Sequence, residues 1–422
     1  MQIQDIGNFL GLQGVRVKSV RSEEQGERKE AVIEIEPSKI KKTCPCCGSE
    51  EIIRNGCDGN RRIKHLRIAG TQCILEALRQ RLLCKNCGAT HTHEYDFVDG
   101  KERYTRAYKA QIYQISVGST VQHGAEVTEE AYSTAERFFR EAAMRIAPLT
   151  LAAAVEKAQQ STKLILGIDD FAIRKGHNYN TGIHDLRGEN LIGIVKGRTL
   201  EELREYMKAT PELAELKPFA IVMDLAQGYH TFAAEFYPNA IRVADRFHVN
   251  RYILDALNEV RRRVCKELAK DDAVRLKRGR HILNKRKEDL GVEQLSELEQ
   301  LLKLSPDLKA VHELKEQLIE WYDCSSCYNA AKETYLRWLS LGLSFNIPEV
   351  TQALKTFENW KTEILNYHLC PFTNGIVEGK NAKIKALQRR HFFLRNRSFY
   401  EALIIIECNK ELSRTLFHHM SS

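Results

Sequence analysis

The chain lacks any apolar run approaching the roughly 20 residues that a membrane-crossing helix requires, so no helical span is expected. Its start, Met1-Gln2-Ile3-Gln4-Asp5-Ile6, lacks the basic segment and apolar core of a secretory leader. It also lacks a strong excess of either charge. Sixty-four basic residues against 56 acidic ones leave a net +8, which permits a polyanionic partner without requiring one. Twelve cysteines without a leader argue against a secreted disulfide framework and for thiols and zinc in a reducing cytoplasm. At 422 residues, two to four domains are expected.

What is present is local. The first hundred residues hold Cys44-Pro45-Cys46-Cys47-Gly48 and Cys84-Lys85-Asn86-Cys87-Gly88. Two thiolates at C-x-x-C spacing grip one ion from a tight turn, and the following Gly permits the positive φ of that turn. Cys44, Cys47, Cys84 and Cys87 together would close a tetrahedral structural Zn²⁺ site. The 36 residues between Cys47 and Cys84 exceed the roughly 15–20 of compact ribbons, and strand-like segments at 62–68 and at 72–78, the second running on through 79–83 into the second knuckle, fill them. Cys46, Cys57, His65, His91 and His93 are further ligand candidates. Cys324 and Cys327 sit among helix formers and read as a packed pair.

Residues 101–160 read as helical. Thr105 opens a stretch over 104–117, Ser119 caps a short helix through 122–124, and Thr128 caps a third over 129–146. Short helix, turn, longer helix fits a helix-turn-helix whose last helix enters the major groove. Arg137 and Arg140 lie along it, whereas Glu129 and Glu130 would repel phosphates at its start. A three-helix segment that binds no DNA is the alternative.

From 161 the pattern is β: a near-continuous apolar strand at 163–169, then 178–184 and 190–195 with turn residues between. A helix capped by Thr199 follows, then a strand at 218–224, a helix near 229–236 and a strand at 240–244. Three strands followed by two more in βα alternation is the RNase H-like order. After Asp245-Arg246-Phe247-His248-Val249 the chain is helical to about 367, without recurring β pattern. A basic stretch there, Arg275 to Lys287, reads equally as a solvated face or a DNA-backbone contact.

Three separated carboxylates stand out. Asp169 closes one apolar run, Asp224 closes another, and Glu378 opens a basic helical stretch. Two acids at carboxyl ends of buried strands and a third on a late helix can share one cleft. Such a cluster holds two Mg²⁺ (or Mn²⁺) ions about 3.5–4 Å apart, suited to in-line attack on a phosphodiester. Helical spacing places Asn374, Glu378, Asn381 and Lys385 along one side. From Gly379 to Arg397 there are seven basic residues and no acid. Lys380, Lys383, Lys385, Arg389 and Arg390 among them form a positive wall for a DNA backbone. Asp245 and His248 are expected at the mouth, supporting the acids by hydrogen bonds or as auxiliary ligands, although Asp245 pairing with Arg246 is an alternative. His184 and Asp185 read as a turn, and His177 as a surface or substrate-side residue.

The blocks Gly167-Ile168-Asp169-Asp170-Phe171-Ala172-Ile173-Arg174-Lys175-Gly176-His177, Ala244-Asp245-Arg246-Phe247-His248-Val249 and Asn374-Gly375-Ile376-Val377-Glu378-Gly379 resemble the signatures of a bacterial family. These are insertion-sequence DDE transposases with an N-terminal zinc-binding domain and a helix-turn-helix. The resemblance covers nearly the whole chain. It implies an RNase H-like catalytic domain with the triad on Asp169, Asp224 and Glu378. The family usually carries Glu where this chain has Asp170; strand alternation would point Asp170 to the opposite face. The resulting expectation is a multidomain α/β protein. A zinc-ribbon-like domain (1–100) and a helix-turn-helix (101–160) precede an RNase H-like mixed five-stranded sheet (161–246 and 368–422), split by a helical insertion (247–367). Binding of terminal inverted repeats, metal-dependent strand cleavage and strand transfer are implied. So are a double-stranded DNA partner, a homodimer or larger assembly on DNA, and a cytoplasmic, nucleoid-associated location. A catalytically silent regulator and a stand-alone RNase H-like nuclease are the alternatives.

Overall fold

Alternating apolar residues in the first hundred positions build more strand than the cysteine spacing foretells. In the computed structural model, which describes residues 3–25, 28–41, 43–68, 70–174, 178–324, 327–391 and 396–421, five strands form there. They are β1 (Val15–Gln25), β2 (Arg28–Pro37), β3 (Ile52–Ile68), β4 (Thr71–Cys84) and β5 (Thr90–Thr92). The sheet order is β1-β2-β4-β3, with β5 beside β4. Val17, Ile33, Ile35, Ile63 and Leu75 pack beneath it. The segment expected from 72 through 83 is nearly the whole of β4, whereas that at 62–68 is only the last part of β3. The earlier part of β3 pairs through irregular register, shifting at Arg54/Cys57 and Cys57/Asn60, where Gly56 and Gly59 take positive φ. That irregularity hides the start of β3 from a search for strict alternation.

Three helices follow. Arg106–Ser116 is capped by Thr105, whose hydroxyl accepts from Tyr108 N at 3.2 Å. The second runs Val121–Thr128 and is capped by Thr120, not Ser119, through His123 N at 3.0 Å. The third starts at Tyr132, not 129, and continues to Gln159. The cause is Glu129, left-handed at φ 50°, which ends the second helix. Glu129 and Glu130 therefore lie in the turn, held by Arg67 and Lys64, and not on the first turn of the long helix.

The chain divides into two compact units, residues 1–149 with 389–422, and residues 150–388. The closing helices Arg397–Cys408 and Lys410–Ser421 thus group with the N-terminal unit, whereas the sequence pattern places all of 368–422 with the late sheet. Aromatic packing accounts for this: Tyr113 stacks on Phe417 at 4.5 Å, and Phe139 meets Phe399 edge-on at 6.0 Å.

The second unit contains β6 (Ile165–Arg174), β7 (Asn178–Asp185), β8 (Asn190–Val195), β9 (Ala220–Met223) and β10 (Ile241–Ala244). Their order, β10-β9-β6-β7-β8, with β6, β9 and β10 parallel and β6-β7-β8 antiparallel, is that of an RNase H-like sheet. The helix Leu200–Ala209 has a capping box, Thr199 with Glu202. A helical insertion begins at Arg246 and packs around Leu308, Val311, Leu314, Trp321, Tyr335 and Phe357. Its buried indoles are satisfied: Trp321 donates to Ala331 O at 2.8 Å, and Trp338 to Leu314 O at 2.9 Å. The helix Gly375–Arg390 follows.

Gly167 allows that last helix to approach β6. A Cβ there would stand 2.6 Å from Leu186 Cδ2 and 2.8 Å from Asn374 Oδ1, whereas one on Gly228 would meet nothing within 4 Å. Gly167→Ala is expected to destabilise the chain by about 1–3 kcal/mol through overpacking. Gly228→Ala, within a helix, should be neutral or stabilising by up to ~1 kcal/mol. Thermal unfolding of the two variants side by side checks this, and equal behaviour would refute the close approach.

Candidate active site and metal centre

Strand register gathers the acids. Ile168 of β6 pairs with Met223 of β9, and Met223 with Ala244 of β10. The next residue on each parallel strand is Asp169, Asp224 or Asp245, so three carboxylates emerge at one level. Asp245 N extends the ladder by donating to Met223 O at 2.8 Å. Ligand oxygens of Asp169, Asp170 and Asp224 lie within 4.8 Å of one another, as do ligand atoms of Asp224, Asp245 and His248. Asp170 is thus near the other two despite its expected opposite facing. Asp169 folds back along the strand, its Oδ1 accepting from Asp170 N at 2.8 Å, and Asp170 also meets Arg198 at 3.3 Å. Nor does β6 stop at Asp169: pairing with β7 carries it on to Arg174.

The helix Gly375–Arg390 is tied to these strand ends by three hydrogen bonds. Asn374 N donates to Asp245 Oδ1 at 2.9 Å, and Asn374 Nδ2 to Ile168 O at 3.1 Å. Two turns later Asn381 Nδ2 donates to Asp169 Oδ2 at 2.8 Å. Asn374 and Asn381 share a stripe, as their spacing foretells, but nothing in the sequence assigns Asn381 to Asp169. Glu378 lies between them, half-buried, and belongs to neither close group of ligand atoms. Asp245 makes no pair with Arg246, which instead meets Asp323 at 2.7 Å.

Electrostatics follow from this crowding. Burial, then the charges of Asp224 and Asp170, pushes Asp169 up to about 7. Burial also raises Asp224, against the pull of His248. His248 Nδ1 stands 2.6 Å from Asp224 Oδ1 and 3.2 Å from Asp245 Oδ2, and bonding to Asp224 and then Asp245 raises it to about 10. Glu378 is raised by burial first and then by Asp245. Hard oxygens so close together suit a divalent cation with open positions for water or phosphate. Two buried amide oxygens beside them, Asn374 Oδ1 and Asn381 Oδ1, have no hydrogen-bond partner among the described residues.

The basic residues are divided. Lys383, Lys385 and Arg389 are exposed, but Lys380 is buried and donates to Glu189 O at 2.5 Å. It anchors the β7–β8 turn and is withdrawn from the proposed DNA wall. Arg390 pairs with Glu407 at 3.0 Å. Arg137 lies over Phe138 and near Glu141, and Arg140 near Glu136 and over Phe399; both remain exposed. His184 is fully buried, and His177 and Arg395 lie outside the described residues.

The cysteines form the second centre. Cys44, Cys47, Cys84 and Cys87 place their sulfurs within 4.8 Å of one another, with Cys44–Cys87 at 3.7 Å and Cys47–Cys84 at 3.6 Å. A tetrahedron with Zn–S bonds of about 2.3 Å has edges of roughly 3.75 Å, so the four thiolates fit zinc. The two knuckles match: Gly48 N donates to Cys44 O, Gly88 N to Cys84 O, and both glycines have positive φ. Backbone N–H groups of Cys46 and Cys47 lower Cys44 to about 6. The Ile52↔Cys84 pairing closes the long gap. His65 is not a ligand; its ring nitrogens meet Thr105 Oγ1 at 3.0 Å and Leu10 O at 3.2 Å.

Comparison with known proteins agrees with both centres. Residues 166–404 match the ISL3-type DDE transposase family, and residues 41–87 match the zinc-finger of transposases of IS204, IS1001, IS1096 and IS1165. The chain is 25% identical over 344 residues to the transposase for insertion sequence element IS1001 of Bordetella parapertussis, covering 81% of this chain and 82% of that one. It is 22% identical over an alignment of 446 residues to the transposase for IS1557 of Mycobacterium tuberculosis, covering 96% of each.

Elemental analysis of Cys84→Ser should show one zinc ion per chain lost; unchanged content would remove Cys84 from the set. A second outcome concerns pH. Asp169 is raised on folding from near 4 to about 7, so the stability tied to its protonated form is full below about pH 4 and is lost as pH rises through 7. With divalent cations chelated, Asp169→Asn should therefore melt higher than the native chain at pH 8, with the gap closing towards pH 4. A gap independent of pH would contradict the raised carboxyl.

Proposed function

The chain belongs to the ISL3-type family of DDE insertion-sequence transposases, and on that footing we propose that Asp169 and Asp224 hold its catalytic cations, Mg²⁺ or Mn²⁺, with Glu378 completing the set. The observation that carries this reading is the common level of Asp169 and Asp224 on neighbouring parallel strands, with oxygens within 4.8 Å. Glu378 joins them by side-chain rotation from a helix already fixed to both strand ends through Asn374 and Asn381. Bound divalent cations would supply a polarised water or DNA 3′-hydroxyl and stabilise the departing 3′-oxygen during in-line displacement.

The protein's own groups prepare that arrangement. Asp169 is oriented by one donor on each oxygen, which leaves lone pairs for a cation. Asp245 fixes the start of the Glu378 helix through Asn374 N and orients His248. The His248 imidazolium balances Asp224 and Asp245 until a cation takes over that charge. Lys383 and Lys385, exposed on the Glu378 helix, offer phosphate contacts close in sequence to the acid.

DNA is the substrate, and the helices Val121–Thr128 and Tyr132–Gln159, joined by a three-residue turn, support a helix-turn-helix reading of the terminal inverted repeats. Sequestration of Glu129 and Glu130 by Arg67 and Lys64 clears the start of the long helix for phosphates, with exposed Tyr132, Ser133 and Arg137 facing the duplex. Residues 1–100 serve as the zinc-bearing domain, 101–160 as the repeat-reading domain, and 161–246 with the Glu378 segment as the catalytic one. Joining two ends calls for a homodimer or larger assembly on DNA, at the nucleoid in the cytoplasm.

The test uses full-length protein, a duplex carrying the element's terminal repeat, and Mg²⁺ or Mn²⁺. Native protein is expected to nick at the 3′ end of the repeat, and Asp224→Asn and Glu378→Gln to fall to background while still retarding the duplex on a gel. Undiminished nicking by Asp224→Asn would remove the metal assignment.

A further inference from the structure

Asn381 has a feature that helix packing alone does not call for. Its side chain is buried (7% exposed), its amide nitrogen holds Asp169 Oδ2 at 2.8 Å, and its amide oxygen has no partner among the described residues. A buried carbonyl without a donor costs free energy unless something in the working state satisfies it. With Asp169 ionised, as a bound cation requires, its carboxylate accepts only, so the nitrogen donates and the oxygen is the orphan. Nitrogen and oxygen share one carbon, which keeps the orphan oxygen beside the Asp169–Asp170–Asp224 cluster.

We propose that Asn381 is a positioning residue of the cation site: its amide nitrogen fixes Asp169, and its amide oxygen accepts a hydrogen from a water carried by the bound cation. This rests on the reading that Asp169 and Asp224 hold that cation. Amide oxygens are hard acceptors of the kind found around Mg²⁺ and its waters, and groups that orient metal ligands set affinity as well as geometry. A water layer is needed here because three carboxylates leave several positions on a six-coordinate cation unfilled. The Asn381 oxygen, carrying no proton, can accept a hydrogen from such a water. The residue also explains why the helix must pass close to β6 at Gly167: a wider gap would carry Asn381 out of reach of Asp169.

The test measures Mn²⁺ binding to full-length protein by electron paramagnetic resonance of the free ion, without DNA and without turnover. Asn381→Leu, which removes donor and acceptor at similar volume, should weaken binding about ten- to hundredfold. Asn381→Ser, which keeps a small hydroxyl, should weaken it by less. Val377→Ala loosens the same helix in its apolar contacts and should change binding less than about twofold. Native affinity in Asn381→Leu, or in Asn381→Ser should the leucine variant not fold, overturns the proposal. A loss in Val377→Ala equal to that in Asn381→Leu also overturns it, because helix packing would then be what is measured. Asp224→Asn separates the two levels: if it binds Mn²⁺ as the native chain does, the cation assignment itself fails, whereas lost binding there beside native binding in Asn381→Leu defeats only the role of Asn381.

Discussion

Three parallel strands in register, each carrying an aspartate one residue past the Ile168–Met223–Ala244 level, set the terms for the whole second unit. Pairing Ile168 with Met223 and Met223 with Ala244 leaves Asp169, Asp224 and Asp245 no choice but to emerge together. Two ionised carboxylates within 4.8 Å of each other repel by roughly 3 kcal/mol or more at an effective dielectric constant near 20. The surroundings answer that repulsion at several points. His248 brings positive charge between Asp224 and Asp245, and donors from Asp170 and Asn381 hold Asp169. Asn374, just before the helix Gly375–Arg390, donates its backbone N–H to Asp245. Crowded acids of this kind are what the cation-binding role proposed for them would use.

The zinc centre solves a different problem by the same economy of backbone. Each knuckle is a tight turn closed by a glycine in the left-handed region, and β3 and β4 bring the two turns together across the long gap. Structural zinc therefore stabilises a junction that the apolar core near it, Cys44, Ile52, Leu82 and Cys84, is too small to hold. Closed thiolate coordination has no vacancy for substrate, which separates this metal's task from that of the acids.

Much of this was legible in the residues because it is local. The C-x-x-C-G pairs, the apolar runs ending in Asp169 and Asp224, and the stripe through Asn374, Glu378 and Asn381 are short-range patterns. The order of the late sheet followed from apolar runs and turn residues. What escaped depends on partners far away in the chain. Whether Lys380 faces phosphate or interior is decided by Glu189 O, 191 residues distant, and spacing on one helix does not report that. Glu129 looked like part of a helix because Thr128 is a good cap; that it takes a left-handed turn instead goes with its pairing to Arg67, from β3. β1 and β2 were missed although Val15-Arg16-Val17-Lys18 and Ile33-Glu34-Ile35-Glu36 alternate as strands do, because the charged runs Glu23-Glu24 and Arg28-Lys29-Glu30 interrupt that alternation. Strand alternation misplaced Asp170 since it treats successive side chains as unable to meet.

The hydrogen bond from Asn374 N to Asp245 Oδ1 spans 129 positions of sequence, and everything between its two ends is the helical insertion. Entry and exit of that long excursion therefore meet at the sheet, and Asn366 Nδ2 adds a second tie through Arg242 O at 2.9 Å. Residues of the excursion also share one apolar core with Val222 and Val243 of the strands. Closing so long a loop costs conformational entropy, and these ties offset it at the point where the Glu378 helix begins.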